Sequence, residues 1–185
     1  MPLTAAQTLT LKNAISTTPI LAAYPNTADG HADLAALLNK VASPEFWVWA
    51  SDVNVQEIRA RITWANLTPL DVPDGTAAWT NRALQCHGKQ FAIQLIVPMI
   101  GTFSATDANI RAGLQDALTG VRSGAGGASL GAGWAAVQGA LARLARSGER
   151  VLANTTSGNG STKPLAATMT FEGELTPDDV ALARV

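Results

Sequence analysis

The chain has 185 residues and a formal net charge of −1, a length that suits one medium domain or a domain with an appendage. Hydrophobic residues make up 47% and charged residues only 15%, against the roughly 25% charged of an ordinary soluble domain. The balance argues against a protein that grips nucleic acid through a basic surface. A single cysteine excludes an internal disulfide framework and suits a reducing compartment, and no run reaches the ~18 apolar residues of a membrane span.

Two readings of the low charge stay open: a surface covered by other subunits, or drift toward Ala and Gly. The opening "MPLTAAQTLTLKNAI" has no basic region ahead of an apolar core, so it does not read as a secretory signal. Thr4 is a candidate cap for a first helix to about Ser16. "TTPILAAYPNTADG", punctuated by Pro19, Pro25 and Gly30, reads as a connection with at most one helical turn. Asp29 opens a helix in which Leu34, Leu37, Leu38 and Val41 form one apolar stripe.

Ser43-Pro44-Glu45 carries the signature of another helix start, followed by Phe46, Trp47 and Trp49. Asp52 is a candidate cap for "VNVQEIRARITW", and the proline-rich "NLTPLDVPDG" is a connection. The longest helix spans about Thr76 to Val97, with Trp79, Ala83, Cys86, Gln90 and Ile93 on one stripe and Leu84, Phe91 and Leu95 beside it. Thr106 or Asp107 caps the next helix, which ends before the glycine loop "RSGAGGASLGAG". "WAAVQGALARLARSGERVLAN" reads as one helix, with Arg143, Arg146 and Arg150 on one side.

After Asn154 the character changes. "TTSGNGSTKP" is a polar linker. In "LAATMTFEGEL", Leu165, Ala167, Met169 and Phe171 alternate with Thr168, Thr170 and Glu172, a strand pattern. Thr176 and Pro177 then start a short end helix. The expected fold is all-α: a bundle of five or six helices over residues 1–154, then a linker and C-terminal docking arm over residues 155–185. A lone strand must find a partner for its backbone groups. A strand of another chain is the favoured partner; a segment of its own body, such as "PILAAY", is the other.

No catalytic, metal or cofactor site emerges. Cys86 and His87 are adjacent on a helix, about 100° apart, so they do not face each other; Cys86 reads as a packed small hydrophobe. His31 adds no metal-ligand spacing. The glycine loop follows a helix and precedes no lysine, unlike a phosphate loop. Asp71 and Asp74 flank a turn proline, and Asp178 and Asp179 sit at a helix start. The arginine trio, with Glu149 among it, reads as a solvated face or a subunit contact. The five tryptophans read as core, with one or two available to anchor an interface.

The runs "TNRALQCHGKQFAIQ", "ANIRAGLQDALTGVRSGAGGASLGAGWAAVQGALARLARSGERVLA" and "FEGELTPDDVA" resemble a family of small virion proteins of tailed phages of proteobacteria, over about Ala32 to the C-terminus. Its members mostly have no assigned role. "GVRSGAGGAS" departs from the pattern where similar sequences often carry a proline before Ser-Gly. The layout of bundle, linker, strand and end helix resembles, by architectural analogy, the head-to-tail adaptor (connector) proteins beneath the portal.

What these resemblances imply is a structural protein and no enzyme. It would form a homo-oligomeric ring, dodecameric to match a portal, at the head-tail interface of a virion made in the host cytoplasm. The ring would join the portal to tail or nozzle proteins, and DNA would pass its near-neutral channel without specific binding. Leu165, Ala167, Met169, Phe171 and Leu175 would dock on the portal, and Arg143, Arg146 and Arg150 would meet neighbours. Deletion after Asn154 is then expected to leave a folded body that no longer attaches. The alternatives are a decoration, stopper or tail-completion protein, or a cell-wall-degrading virion enzyme using one of Glu45, Glu57, Glu149, Glu172 or Glu174 with a raised pKa.

Overall fold

The computed structural model describes residues 3–68, 77–98, 100–122, 129–152 and 159–185. In chain order they form α1 (Ala5–Thr17), α2 (Pro19–Ala22), α3 (Ala28–Leu38), β1 (Trp47–Trp49), β2 (Val53–Asn54) and α4 (Val55–Arg61). There follow α5 (Ala77–Ile96), β3 (Thr102–Phe103), α6 (Ala108–Leu118), β4 (Val121–Arg122) and β5 (Ser129–Leu130). The chain closes with α7 (Trp134–Ala140), β6 (Ala142–Leu144), α8 (Ser147–Leu152) and α9 (Pro177–Ala183). Helix dominates, as the sequence led us to expect, with short strand pairs β1–β6, β2–β3 and β4–β5 among the described residues.

The chain divides into two compact units, one of residues 1–49 with 143–185, the other of residues 50–142. That division differs from a body of 1–154 and an arm of 155–185. Segments from both ends of the chain build the first unit. Its core joins Leu11 and Ile15 of α1, Leu34 and Leu38 of α3, Leu152 of α8, Phe171, Leu175, and Val180 of α9. Each such side chain, fully buried, contributes about 1.5–3 kcal/mol.

Local chemistry sets the helix starts of this unit. Thr4 and Thr176 each form a reciprocal capping box, with Gln7 and Asp179. Thr27, rather than Asp29, caps α3.

Two expected helices fail. Ser43-Pro44-Glu45 does not start a helix; Trp47–Trp49 is a strand, and β1 pairs with β6. Trp-Val-Trp is a strand-favouring triplet, and the chain gives it partners on both sides. Phe46 O accepts from Ala145 N at 2.8 Å; Ala167 N donates to Trp47 O at 2.9 Å, and Ala167 O accepts from Trp49 N at 3.0 Å.

The expected single helix after Gly133 is also broken, into α7, β6 and α8. In a continuous helix Arg143 and Glu149, six positions apart, would point about 120° away from each other. The extended β6 lets them meet.

The lone strand also finds its partner at home. Ala167 bridges Val48 in parallel, so the partner is a segment of its own chain, though Trp47–Trp49 rather than "PILAAY". Ala167 and Met169 pack with Val48 and Ala145 in a second small cluster. Asn39 holds the next stretch: its side-chain amide donates to Leu175 O and accepts from Leu175 N, both at 2.8 Å. Leu165, Ala167, Met169, Phe171 and Leu175 therefore do not form a free arm. Leu165 alone of the five is exposed. Part of the expected linker, residues 155–158, lies outside the described residues.

In the second unit Val53 and Asn54 pair antiparallel with Phe103 and Thr102. Asn54, not Asp52, caps α4, and Asp107 caps α6. α5 packs an inner face of Cys86 and Ile93, continued by Val97 just past its end, against a core that includes Leu114 and Leu118 of α6. Gln90 donates to Leu67 O at 2.8 Å, tying α5 to the 3-10 turn Trp64–Leu67.

A short strand pair enters the expected glycine loop, with Val121 opposite Leu130 and Arg122 opposite Ser129; the loop's residues 123–128 lie outside the described residues. Gly133, at φ +95°, caps α7 where a Cβ would stand 2.6 Å from Arg61 O, so only glycine fits both the conformation and the space. Asp71, Asp74 and the Trp79 side chain lie outside what is described.

Candidate functional site

Two features stand out, one in each unit. The first is a buried ion network. Glu149, on α8, is fully buried. Its carboxylate takes both arms of the Arg143 guanidinium at 2.7 and 2.8 Å, the two-pronged geometry that guanidinium and carboxylate share. It also accepts from Arg146 N at 2.8 Å and Gly173 N at 2.9 Å. Gly173 sits at φ +136°, which favours glycine there.

Arg143 reaches Glu172 at 3.4 Å and Arg146 reaches Glu174 at 3.2 Å. The network thus joins β6 and α8 to residues 172–174. Burial pushes the Glu149 carboxyl up, but the hydrogen bonds from Arg143, Arg146 N and Gly173 N, with the charge of Arg143, outweigh it and hold the group below the usual carboxylate range. The Arg143 guanidinium is held above its ordinary value, first by its hydrogen bond to Glu149. A glutamate held ionised by four donors is a structural anion. A proton donor for glycosidic cleavage needs the opposite shift.

The arginine trio is accordingly not one helical face. Arg143 lies on β6, Arg146 precedes α8, and Arg150 lies on α8 and donates to Pro44 O at 2.9 Å. Glu149, read from sequence as one charge within a solvated face or a subunit contact, is the centre of the network. The available signal was Ser147-Gly148, a helix-weakening pair inside an Ala/Leu/Arg run.

Beside this region a groove of about 670 Å³ is lined by Ile20, Leu21, Leu37, Pro44, Val151 and Arg150, among others. Among the described residues its lining holds one cation and no carboxylate, so these offer apolar contact and no acid–base pair.

The second feature is the outer face of α5. Leu84, Phe91 and Leu95 are 65%, 61% and 69% exposed. They do not lie beside the inner stripe but opposite it: Leu95 follows Cys86 by nine positions, half a turn off in bearing. Cys86 is buried and His87 exposed, so the adjacent pair splits between core and solvent. Burial raises the Cys86 thiol above its ordinary value, against the opposing charge of Arg82, which makes it a poor nucleophile. His31 is bonded to Asn26 Oδ1 at 2.7 Å. Among the described residues no group of three His, Cys, Asp or Glu is placed to hold a metal ion, and no helix is long and apolar enough to cross a membrane.

No protein-family description, curated protein or solved structure matches the chain.

Proposed function

We propose that the chain is a structural subunit of a tailed-phage virion, the head-to-tail adaptor that forms a ring beneath the portal. The observation that carries this reading is the apolar surface on both units: Leu9, Ile20 and Val41 on the first, Leu84, Phe91 and Leu95 on the second, all more than half exposed. With 15% charged residues in the chain, that surface suits a molecule that works covered by others. The resemblance of "TNRALQCHGKQFAIQ" and "FEGELTPDDVA" to phage virion proteins supplies the particle. A dodecameric ring would match a portal, and a net charge of −1 suits a channel that lets DNA pass.

In this form of the subunit the ring and portal contacts fall on faces other than residues 165–175, whose apolar side chains are mostly taken up in the first unit. The test is to mix the purified chain with isolated portal rings and image the product by electron microscopy, beside intact particles labelled for this protein. Density capping the portal is the expected result. Label on capsid faces or at the distal tail would replace the adaptor with a decoration or tail-completion role, and absence from particles would overturn the virion reading.

A further inference from the structure

We propose that the outer face of α5 is a self-recognition surface, through which two copies of this chain pair as an antiparallel, two-fold dimer. Leu84, Gly88, Phe91 and Leu95 follow one another at intervals of four, three and four residues. They share one stripe along the helix, within about 60° of bearing. That interval pattern reads the same in both directions. Laid against a reversed copy of itself, Leu84 meets the second copy's Leu95, and Phe91 meets the second copy's Gly88.

Gly88 is built for that meeting. A Cβ placed on it would find nothing within 4 Å, so the space above it is open and an aromatic ring can seat there. The two-fold axis makes each seat twice.

Charge permits the same pairing. A two-fold axis brings identical residues close, so a charged face would repel its copy. Between Ala83 and Pro98 the outer face offers Gln85 and Gln94, which exchange places under the same reversal, and His87. The one lysine of this stretch, Lys89, is turned away from the stripe and engages Asp116 of α6. Arg82 is buried and donates to Thr68 O.

The area also suits a second copy. The three apolar side chains expose on the order of 400 Å² together, as much as the largest patch of an ordinary monomer. Doubled, with the flanking glutamines, this approaches the ~1,200 Å² at the lower end of specific interfaces. The proposal goes beyond the adaptor reading: a two-fold contact closes on itself, so ring contacts would fall to the other exposed apolar side chains, Leu9, Ile20 and Val41.

Sedimentation velocity of the full chain over about 1–200 µM tests it, reading a monomer–dimer shift. Phe91→Glu and Gly88→Leu should each leave a monomer throughout with an unchanged helical circular-dichroism spectrum, since neither position is packed in the single chain. Orientation is read by oxidative cross-linking: mixed Leu84→Cys and Leu95→Cys chains should join to each other, and Leu84→Cys alone should not join to itself. The natural Cys86 is buried and supplies no background. A monomer at every concentration, a dimer that survives Phe91→Glu, self-joining of Leu84→Cys, or ring-sized oligomers lost on Phe91→Glu would each overturn the two-fold assignment. The first three leave the adaptor reading standing, and the last would strengthen it.

Discussion

Residues 165–175 and the outer face of α5 present the same chemistry in sequence and opposite fates in the structure. The first is an alternating apolar segment after a polar linker, the pattern of a strand in search of a partner. The second is an apolar set on the longest helix, the pattern of a core. In the folded chain Ala167, Met169, Phe171 and Leu175 are buried, while Leu84, Phe91 and Leu95 stand in solvent. Periodicity says which side chains share a face. It does not say what covers that face, because covering is decided by segments far away in sequence: Val48 for Ala167, Asn39 for Leu175.

The sharpest way to break this comparison is to remove the C-terminal segment. Deletion after Asn154 takes Phe171, Leu175, Val180 and Ala183 out of the core of the first unit. At about 1.5–3 kcal/mol for each large side chain, the loss rivals the ~5–15 kcal/mol total stability of a typical domain. The first unit is expected to unfold, seen as a fall in helical circular dichroism and the loss of slow amide exchange in α1 and α3. A truncated chain with α1 and α3 still protected would return residues 165–175 to the status of a detachable arm.

A smaller effect is expected at the network that fastens that segment. Glu149→Gln leaves Arg143 without its buried charge partner and weakens the acceptor for Arg146 N and Gly173 N. Removing one member of a buried pair costs about 3–5 kcal/mol; Arg143 keeps Glu172 at 3.4 Å, which points to the lower end. The pH dependence has a definite sign. Because the folded Glu149 carboxyl is held below its ordinary value, its contribution is complete above the unfolded pKa of about 4.3 and is lost as pH falls from there through the lower folded value. Denaturant melts of the natural chain should therefore lose stability below about pH 4 more steeply than those of Glu149→Gln. Equal slopes would remove Glu149 from the stabilising role.

Caps were legible because their chemistry is local: Thr4, Asp107 and Thr176 sit where short-range rules put them. The extent of α5 followed from its bounding prolines and glycines. The outer stripe of α5 was equally open to reading, since a difference of nine positions fixes Leu95 opposite Cys86 whatever the tertiary fold. The break from α7 to α8 was not, because what favours β6 over helix is its pairing with β1, almost a hundred residues earlier. Glu149 was hidden for the same reason. Its surroundings come from Arg143 on a strand and Gly173 on a distant segment, and neither the strand nor the contact exists until the ends of the chain meet.

The smallest expected effect sharpens the comparison from the other side. Phe91→Ser, measured at concentrations too low for self-association, should change the stability of the second unit by no more than about 0.5 kcal/mol, the range of surface substitutions. A buried phenylalanine cut back this far would cost about 3–5 kcal/mol, so the two situations differ several-fold in a single melt. At high concentration the natural chain should melt at a temperature that rises with protein concentration, because association stabilises only the folded form, while Phe91→Ser should not. A large loss at low concentration would mean that α5's outer face is packed within the chain. A small loss with concentration-independent melting of both forms would leave the face exposed but without a second copy upon it.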